Sequence, residues 1–423
     1  SGETKGSDET EDTLDLPPLQ WVKDSLPLSF VPNWTVKTSS EEFLEELTDA
    51  KYGNRVTGSV GNRAAAEWIE DQFIKLNLQQ FPDLPAYLQP YLDTVFEVLP
   101  GSAWIVAADG TEKELELGKD WVFSASFTEI DQTLPLSADL KECEKGNAFL
   151  NANEVEQKHF RKAIEIVTAD TVLNLPYQNT GNEASRIMVT EKVYKQLMRE
   201  GVKLHLKLPA DAKAGQAENV IGYLPGADSS RAVVLGAHFD ASGQAGTVMR
   251  GAYDNASGVA ALLQTAKWLS KGNPPCDVIF AAFNGEGCDF AGSNEFAFFL
   301  DGKYEQVLMI NLECVGWKDE ALTVYGNSEQ EGLRDNLAGV LGIQYRDYSP
   351  DSDAASFQLE NMRAVTISQD RCLTEDTIRG AWNIAQDTAE NLDSAMIDQL
   401  ARNLCAWVME RGRNRMITYP VFW

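Results

Sequence analysis

Short apolar segments alternate with amphipathic segments through most of the chain, and the spacing of the apolar positions separates the two kinds. Runs of about four to eight mostly apolar residues predict buried strands, and apolar positions three or four residues apart predict helices. From residue 219 onwards the pattern is that of an α/β chain, with apolar strands alternating with helices. The predicted strands are 233–237, 278–283, 307–312, 322–325 and 364–368, and the predicted helices are 259–269, 293–300, 329–341 and 394–411. This order predicts an α/β fold with a mostly parallel, doubly wound sheet that helices cover on both faces.

The earlier part of the chain has a different pattern. One helix is predicted from about residue 39, with Glu41 and Glu42 in its first turn, where negative charge suits the helix dipole. A second helix is predicted at 64–76. Between 93 and 214, short β-rich runs alternate with polar turns around a helical pattern at 190–200. We therefore predict a β-rich domain at 93–214, inserted into an α/β domain that is formed by 31–92 and 215–423.

Residues 1–30 form an acidic leader, and its first 18 residues are polar and without periodicity, so we expect disorder there. The leader resembles the tether that follows the lipidated cysteine of a bacterial lipoprotein. That resemblance implies an extracytoplasmic location, as a secreted or cell-surface protein with a lipid anchor upstream of residue 1. A remnant of an expression tag is the alternative explanation.

Composition excludes several classes of function. The formal net charge of −28 argues against nucleic acid and anionic membranes as partners, because both require a surplus of Lys and Arg. No apolar run reaches the roughly 18 residues that a membrane span needs. Six scattered cysteines without a C-x-x-C pair do not indicate a zinc ribbon or a disulfide scaffold, so we expect buried thiols.

Four residues that suit a metal centre follow predicted strands or the turn after one. They are His238, Asp254, Glu286 and Glu313. In a parallel sheet the ligand site lies beyond the carboxyl ends of the strands, so these side chains are expected to converge. Of the other histidines, His159 lies in a charged stretch and His205 alternates with lysines in a strand. Both are expected to be structural or exposed.

Six motifs occur in the order found in a known family. They are RVTGSVGNRAAAEWI, VVLGAHFD, AYDNASGVAALL, FNGEGCDFAGS, INLECVG and WNIAQDTAENLD. The chain thereby resembles the zinc exopeptidase family of bacterial aminopeptidases, which also includes glutamate carboxypeptidase and glutaminyl cyclase. The resemblance covers roughly 36–90 and 215–415. It implies the sheet of the zinc aminopeptidase type, and the segment between resembles a protease-associated insert.

The resemblance also implies roles for single residues. The family chemistry uses two metal ions about 3.5–4 Å apart, which polarise the peptide carbonyl and activate a bridging water. By resemblance, His238 and Glu313 would bind one ion, Asp254 would bridge both ions, and Glu286 would be the general base. Asp240 would orient His238, and the peptide bond between Asp254 and the next residue would be cis.

The chain departs from the family pattern at three positions. Gly287 stands where the family has a second glutamate ligand, Asn383 replaces the distal histidine ligand, and Ala354 replaces another histidine. A single carboxylate cannot hold a zinc ion that takes about four ligands. The sequence thus predicts a degenerate site with at most one zinc ion, or none. The candidate replacements for the missing ligands are Cys288, Asp289 and Asp353, although each is expected to be structural.

Two functions remain open at this point. The first is a catalytically impaired member of the fold, a pseudoenzyme that binds a peptide or protein ligand. The second is an active zinc exopeptidase with one metal or with a rebuilt site, in which Glu286 is the general base. Whether the chain is an enzyme is left undecided by the sequence.

Overall fold

The computed structural model describes residue 20 and residues 40–155, 163–169, 173–178, 185–374 and 386–411. The expected disorder of residues 1–18 falls outside these residues, as do His159 and Asn383. The helices are α1 (Ser40–Leu47), α2 (Val60–Lys75), α3 (Leu140–Glu144), α4 (Glu191–Leu197), α5 (Ser257–Leu269), α6 (Ala291–Leu300), α7 (Glu331–Leu341), α8 (Asp353–Leu359), α9 (Asp370–Thr374) and α10 (Ser394–Arg411). Among them, no helix is both long and apolar enough to cross a bilayer.

Eighteen strands are formed by the described residues. In chain order they are β1 (Gln79–Gln80), β2 (Leu88–Phe96), β3 (Ser102–Val106), β4 (Glu112–Leu115), β5 (Trp121–Phe123), β6 (Ile130–Leu134), β7 (Leu136–Ser137), β8 (Phe149–Asn151), β9 (Glu165–Thr168), β10 (Arg186–Val189), β11 (Lys203–Leu208), β12 (Ala212–Leu224), β13 (Asp228–His238), β14 (Cys276–Phe283), β15 (Gln306–Leu312), β16 (Leu322–Tyr325), β17 (Gln344–Arg346) and β18 (Arg363–Gln369).

The central sheet has the strand order β1-β12-β14-β13-β15-β18-β16-β17, and β2 also pairs with β12. Strands β14, β13, β15 and β18 form a continuous parallel block at its centre. Antiparallel strands flank this block on both sides. The predicted α/β fold with a mostly parallel central sheet is confirmed, and the parallel block places four carboxyl ends of strands side by side.

The apolar strands of this sheet are buried on both faces. In β13, Val233 and Leu235 pack into the core beneath α1, α2, α5, α7 and α10, whereas Val234 packs into the opposite core with α6 and α8. Because successive side chains of a strand point to opposite faces, a continuous apolar run fits a strand between two helical layers. The α5 helix is almost entirely buried, which explains why its sequence is apolar all round.

The segment between β2 and β12 adds two smaller sheets with their own apolar core. One is the antiparallel sheet β4-β3-β11-β6, and the other is the mixed sheet β5-β10-β9-β8-β7. Strands β2 and β12 pair from Leu88 with Val220 to Phe96 with Ala212, and they lead from the central sheet into this insert. The predicted boundaries at 93 and 214 fall inside these two strands. The assignment of 93–214 as a separate domain stays a prediction.

Several elements differ from the sequence prediction in their bounds. The second helix was predicted to begin at residue 64, but α2 begins at Val60 because the Ser59 hydroxyl accepts a hydrogen bond from the Asn62 N–H at 3.1 Å. Strand β13 begins at Asp228 rather than at residue 233. The short elements β17 and α8 were not predicted, since each is only a few residues long and has little periodicity.

Candidate metal centre

The predicted site residues come together at the carboxyl edge of the parallel block. His238 is the last residue of β13, Glu286 follows β14, and Glu313 directly follows β15. Asp254 lies in the irregular turn Ala252–Ala256 that leads into α5. Because β14, β13 and β15 are neighbours in the sheet, the turns after them share one edge, as the sequence predicted.

His238 and Asp254 direct donor atoms towards the same space. The His238 Nε2 atom lies 3.2 Å from the Asp254 Oδ1 atom, yet Nε2 has no well-aligned hydrogen bond among the described residues. The other ring nitrogen, Nδ1, lies 3.2 Å from the backbone oxygen of Asp240. The His238 side chain is 2 % exposed, whereas that of Asp254 is 34 % exposed. A buried imidazole nitrogen without a hydrogen bond, beside an accessible carboxylate, is a ligand pair suited to a metal ion.

Glu286 and Glu313 complete a cluster of acidic groups around the single histidine. Burial raises the pKa of Glu286 well above its ordinary value, and the charges of Asp254 and Glu313 raise it further against the charge of His238. Burial likewise raises the pKa of Glu313 to about 8. Burial lowers the pKa of His238, but the Asp240 and Asp254 carboxylates more than offset this and raise it well above its ordinary value. This donor set fits a divalent cation, which would neutralise the carboxylates.

Asp240 contacts other residues besides His238, whose ring it was predicted to orient. Its carboxylate lies 3.5 Å from His238 Nδ1, which is close to the limit for an ion pair. The same carboxylate accepts hydrogen bonds from the Glu286 backbone N–H at 3.2 Å and from Gln178 Nε2 and Thr57 Oγ1 at 3.3 Å each. Asp240 thus fixes the turn that carries Glu286.

Gly287 lies directly against the side chain of Gln178. A Cβ atom built at position 287 would lie 2.3 Å from Gln178 Nε2, too close for any real contact. The Gln178 carboxamide is held at both ends, since its Oε1 accepts the Thr57 backbone N–H at 2.7 Å and its Nε2 donates to Asp240. The space beside Gly287, where the family's second glutamate would begin, is therefore filled by a side chain from the insert.

The peptide bond between Asp254 and Asn255 is cis, as the resemblance implied. The Asn255 side chain joins this turn to the end of β15. Its Nδ2 donates to the Leu312 carbonyl at 2.9 Å, and its Oδ1 accepts the N–H groups of Gly258 at 3.1 Å and Cys314 at 3.0 Å. Asn255 thereby fixes Asp254 relative to the turn that carries Glu313.

A residue that the sequence analysis did not single out, Arg55, supports the floor of the site. Its fully buried guanidinium donates hydrogen bonds of 2.7–3.0 Å to four backbone carbonyls, those of Leu47, Phe239, Arg250 and Gly251. Three of these carbonyls lie in the segment between His238 and Asp254. The signal in the sequence was an arginine at the start of the motif RVTGSVGN, but an arginine in a loop is ordinarily exposed.

The candidate replacement ligands occupy different surroundings. Cys288 is buried in the core of the insert, and burial raises the pKa of its thiol. Asp289 is exposed on the surface. Asp353 is fully buried at the start of α8, where burial raises its pKa to about 6 while the charge of His238 opposes this rise. His205 lies in the insert on β11 and contacts Asp131 at 2.9 Å. None of these observations brings a replacement ligand to Gly287.

The central and C-terminal parts of the chain match a known family. Residues 219–408, which contain all four predicted metal and base residues, match the model of peptidase family M28. Over this segment the chain is similar to the M28 peptidases. Two curated relatives are similar to the chain as well. A probable lipoprotein aminopeptidase, LpqL, from Mycobacterium tuberculosis is 26 % identical over 283 residues, which are 61 % of this chain and 54 % of that protein.

A glutamate carboxypeptidase 2 homologue from Caenorhabditis briggsae is 32 % identical over 124 residues, which are 27 % of this chain and 15 % of that protein. The chain thus spans about half or less of the curated relatives that it matches.

Solved structures share the fold of this chain, including its insert. The zinc aminopeptidase BSAP from Bacillus subtilis superposes with a TM-score of 0.62 at 17 % identity, covering 88 % of this chain and 94 % of that one. An aminopeptidase from Aneurinibacillus sp. strain AM-1 superposes with a TM-score of 0.60 at 18 % identity, covering 91 % and 96 %. At such identities the likeness establishes the fold alone.

Proposed function

We propose that this chain is a peptide-binding member of the M28 fold whose two-ion hydrolytic site is impaired. It would hold at most one of the family's two zinc ions, at His238, Asp254 and Glu313. The observation that carries this proposal is the contact between Gln178 and Gly287. The contact supports the loss of the second ion's glutamate ligand, because Gln178 occupies the space beside Gly287 where that ligand would begin.

The first ion position retains a suitable donor set. One imidazole nitrogen and two carboxylates are three protein ligands of the kind that zinc accepts, with a fourth position left for water or substrate. A bound ion would supply a Lewis acid that polarises a peptide carbonyl and lowers the pKa of its water. Asp240 would keep the His238 ring in place through its contacts to Nδ1.

The second ion position has lost its side-chain oxygen at Gly287, and Asn383 stands in the sequence where the family has its distal histidine. A glutamate at 287 would have to displace Gln178, which is anchored by Thr57 and Asp240. The remaining bridging carboxylate, Asp254, cannot hold an ion alone. A peptide is the expected ligand, because the M28 domain belongs to a family of peptidases.

The relative described as a lipoprotein aminopeptidase supports placing this chain outside the cytoplasm, as a secreted or surface-anchored protein. The insert offers a further surface beside the site, since Gln178 reaches from it to Asp240. We propose that the segment 93–214 is a protease-associated-like domain that helps to bind the ligand.

A second candidate function is a one-metal exopeptidase, and the position of Glu286 favours it. Its backbone is fixed by Asp240 at 3.2 Å, and its burial raises its pKa above the ordinary value. A raised pKa makes a carboxylate a stronger general base. Glu286 would then accept a proton from the attacking water and pass it to the leaving amine.

Metal content and turnover separate the two functions. Purified protein, the variant Glu286→Gln and the variant Asp254→Asn are compared for zinc per chain, for binding of fluorescent peptides and for hydrolysis of aminoacyl and peptide substrates. The proposal expects peptide binding with zinc in the wild type and in Glu286→Gln, loss of that zinc in Asp254→Asn, and no turnover. Turnover that disappears in Glu286→Gln would overturn it in favour of the exopeptidase.

A further inference from the structure

Two cysteines that no sequence motif connects lie beside Glu313. Cys314 follows Glu313 directly after β15, and Cys372 lies in α9, directly after β18. A Glu313 carboxylate oxygen and the two Sγ atoms all lie within 4.8 Å of one another. The three residues are 6 %, 1 % and 3 % exposed. The cluster is therefore a compact, buried set of one oxygen and two sulfur donors.

The fold brings the cysteines together through the pairing of two parallel strands. β15 pairs with β18, and the Glu313 N–H still donates to the Ile367 carbonyl at 3.1 Å, so that the chain ends of both strands stay in register. The turn after Glu313 places Cys314 in the left-handed backbone region, with φ of 51°, which is uncommon outside glycine. Its N–H donates to Asn255 Oδ1. The backbone of Cys314 is thereby fixed at the end of β15.

Cys372 is anchored from the other side. The Asp370 carboxylate at the start of α9 accepts a hydrogen bond from Arg346 Nε at 2.9 Å and a further one from the Tyr325 hydroxyl. Arg346 ends β17 and Tyr325 ends β16, so two more strands fix the short helix that carries Cys372. The thiols of Cys314 and Cys372 also hydrogen-bond to each other. Three donors are thus positioned in advance by four neighbouring strands.

The donor chemistry selects the class of ligand. Two thiolates with one carboxylate suit zinc and other borderline or soft divalent ions, whereas calcium and magnesium prefer oxygen ligands throughout. In a tetrahedral zinc site with Zn–S bonds of about 2.3 Å, the ligand atoms lie a little under 4 Å apart, roughly. The donor atoms of the cluster all lie within 4.8 Å of one another, so small movements of the three side chains would bring them to the distances that such an ion requires.

We propose that Glu313, Cys314 and Cys372 form a thiolate site for a zinc-like divalent ion, distinct from the His238 and Asp254 position and adjacent to it. This inference rests on the proposed function at one point, which is that Glu313 would be a ligand both of the ion at His238 and Asp254 and of the ion at the two cysteines. The site would give this chain a second metal-binding position, with a donor set unlike that predicted from the family motifs. Water or a ligand group would supply the fourth donor.

Cobalt absorption tests the proposal because thiolate-to-cobalt charge transfer in the near ultraviolet reports sulfur ligands directly. Reduced, metal-free protein is titrated with Co²⁺, and zinc per chain is measured in parallel. The wild type is expected to give a saturable charge-transfer band. The variants Cys372→Ser and Cys314→Ser are expected to lose at least half of its intensity and one equivalent of metal.

Two further variants keep the failures of the two proposals distinguishable. His238→Gln is expected to lose metal at its own position while retaining the charge-transfer band. Cys405→Ser, a buried cysteine of α10 apart from the cluster, is expected to change nothing. Thermal melting of each metal-free variant checks its folding, and Cys372→Ala replaces Cys372→Ser if the hydroxyl destabilises the fold. Absence of the band in reduced wild type, a band that Cys372 variants leave intact, or a Cys314–Cys372 disulfide that survives reduction would each overturn the proposal.

Discussion

The Gln178 side chain occupies the space that any side chain at position 287 would need, with its Nε2 atom 2.3 Å from a Cβ built on Gly287. The contact links the insert to the turn after β14. Gln178 and Gly287 are complementary in this arrangement, because a side chain at position 287 would require the carboxamide to move from its hydrogen bonds to Thr57 and Asp240. The loss of the second glutamate therefore has a structural counterpart in another segment of the chain.

The complementarity predicts how the pair responds to substitution. Gly287→Glu alone is expected to lower the free energy of unfolding by about 2–3 kcal/mol, because Gln178 loses two hydrogen bonds and the new carboxylate is crowded. Gln178→Ala alone should cost about 1–2 kcal/mol. In the double variant the two costs should not add. A double-mutant cycle by urea denaturation measures a coupling energy of about 1 kcal/mol or more, and strict additivity would contradict the contact.

The acidic cluster predicts that the metal-free protein loses stability as the pH rises from about 5 to 8. Glu313 has a folded pKa of about 8 and an ordinary value of 4.5, so in this range the folded state holds a proton that the unfolded state has released. The free energy of unfolding then falls with increasing pH, by an amount on the order of a few kcal/mol. Glu286, whose pKa is raised as well, acts in the same direction.

Glu313→Gln provides the control for this prediction. The variant keeps the shape of the side chain but cannot ionise, so it should be more stable than the metal-free wild type at pH 8 and show a flatter pH profile. Zinc should stabilise the wild type most at the alkaline end, because metal binding displaces the proton. Melting temperatures over this pH range, with and without zinc, check both statements. A wild-type stability that rises steadily to pH 8 without metal would contradict them.

Arg55 is expected to be essential for the loop between His238 and Asp254. Arg55→Met leaves four backbone carbonyls without their donor and removes a buried positive charge that faces Asp240 and Asp254. We expect a loss of about 3–5 kcal/mol in the free energy of unfolding. Arg55→Lys should recover little of it, since an ammonium group cannot replace a planar fork of donors.

The matched control is Arg63→Met in the same motif. Arg63 is exposed and donates to the Gly58 carbonyl at 3.0 Å, so its removal should cost less than about 1 kcal/mol. Denaturant titration of the three variants gives the comparison. Equal losses at the two arginines would show that burial and the four carbonyl contacts do not determine the role of Arg55.

Replacing Asn255 with alanine should also lower the free energy of unfolding, because this side chain likewise makes buried hydrogen bonds to backbone groups. Asn255→Ala removes the Nδ2 donor and the Oδ1 atom, which accepts two hydrogen bonds. The Leu312 carbonyl and the N–H groups of Gly258 and Cys314 then lose these partners in the interior. The expected loss is about 2–4 kcal/mol. Asn294→Ala, at an exposed asparagine with one hydrogen bond to Asp289, should stay within about 0.5 kcal/mol. A loss of less than about 1 kcal/mol at Asn255 would refute its bridging role.

The sequence by itself determined the α/β core and the residues at its carboxyl edge. Periodicity identified β16 and α10 with their observed bounds and most other elements to within a few residues. The placement of His238, Glu286 and Glu313 together followed from the same pattern. A parallel sheet aligns the carboxyl ends of its strands, so residues that directly follow apolar runs must share one edge.

Only the tertiary structure revealed which distant side chains complete that edge. Gln178 meets Gly287 across the junction with the insert, and Cys372 meets Cys314 because β18 lies next to β15. Local patterns predict where a strand or helix lies and which of its faces is buried. Contacts between distant side chains depend on strand order and on the geometry of turns, which periodicity does not encode. The motifs that contain His238 and Asp254 therefore identified the site, whereas the packing around these residues decides what the site can bind.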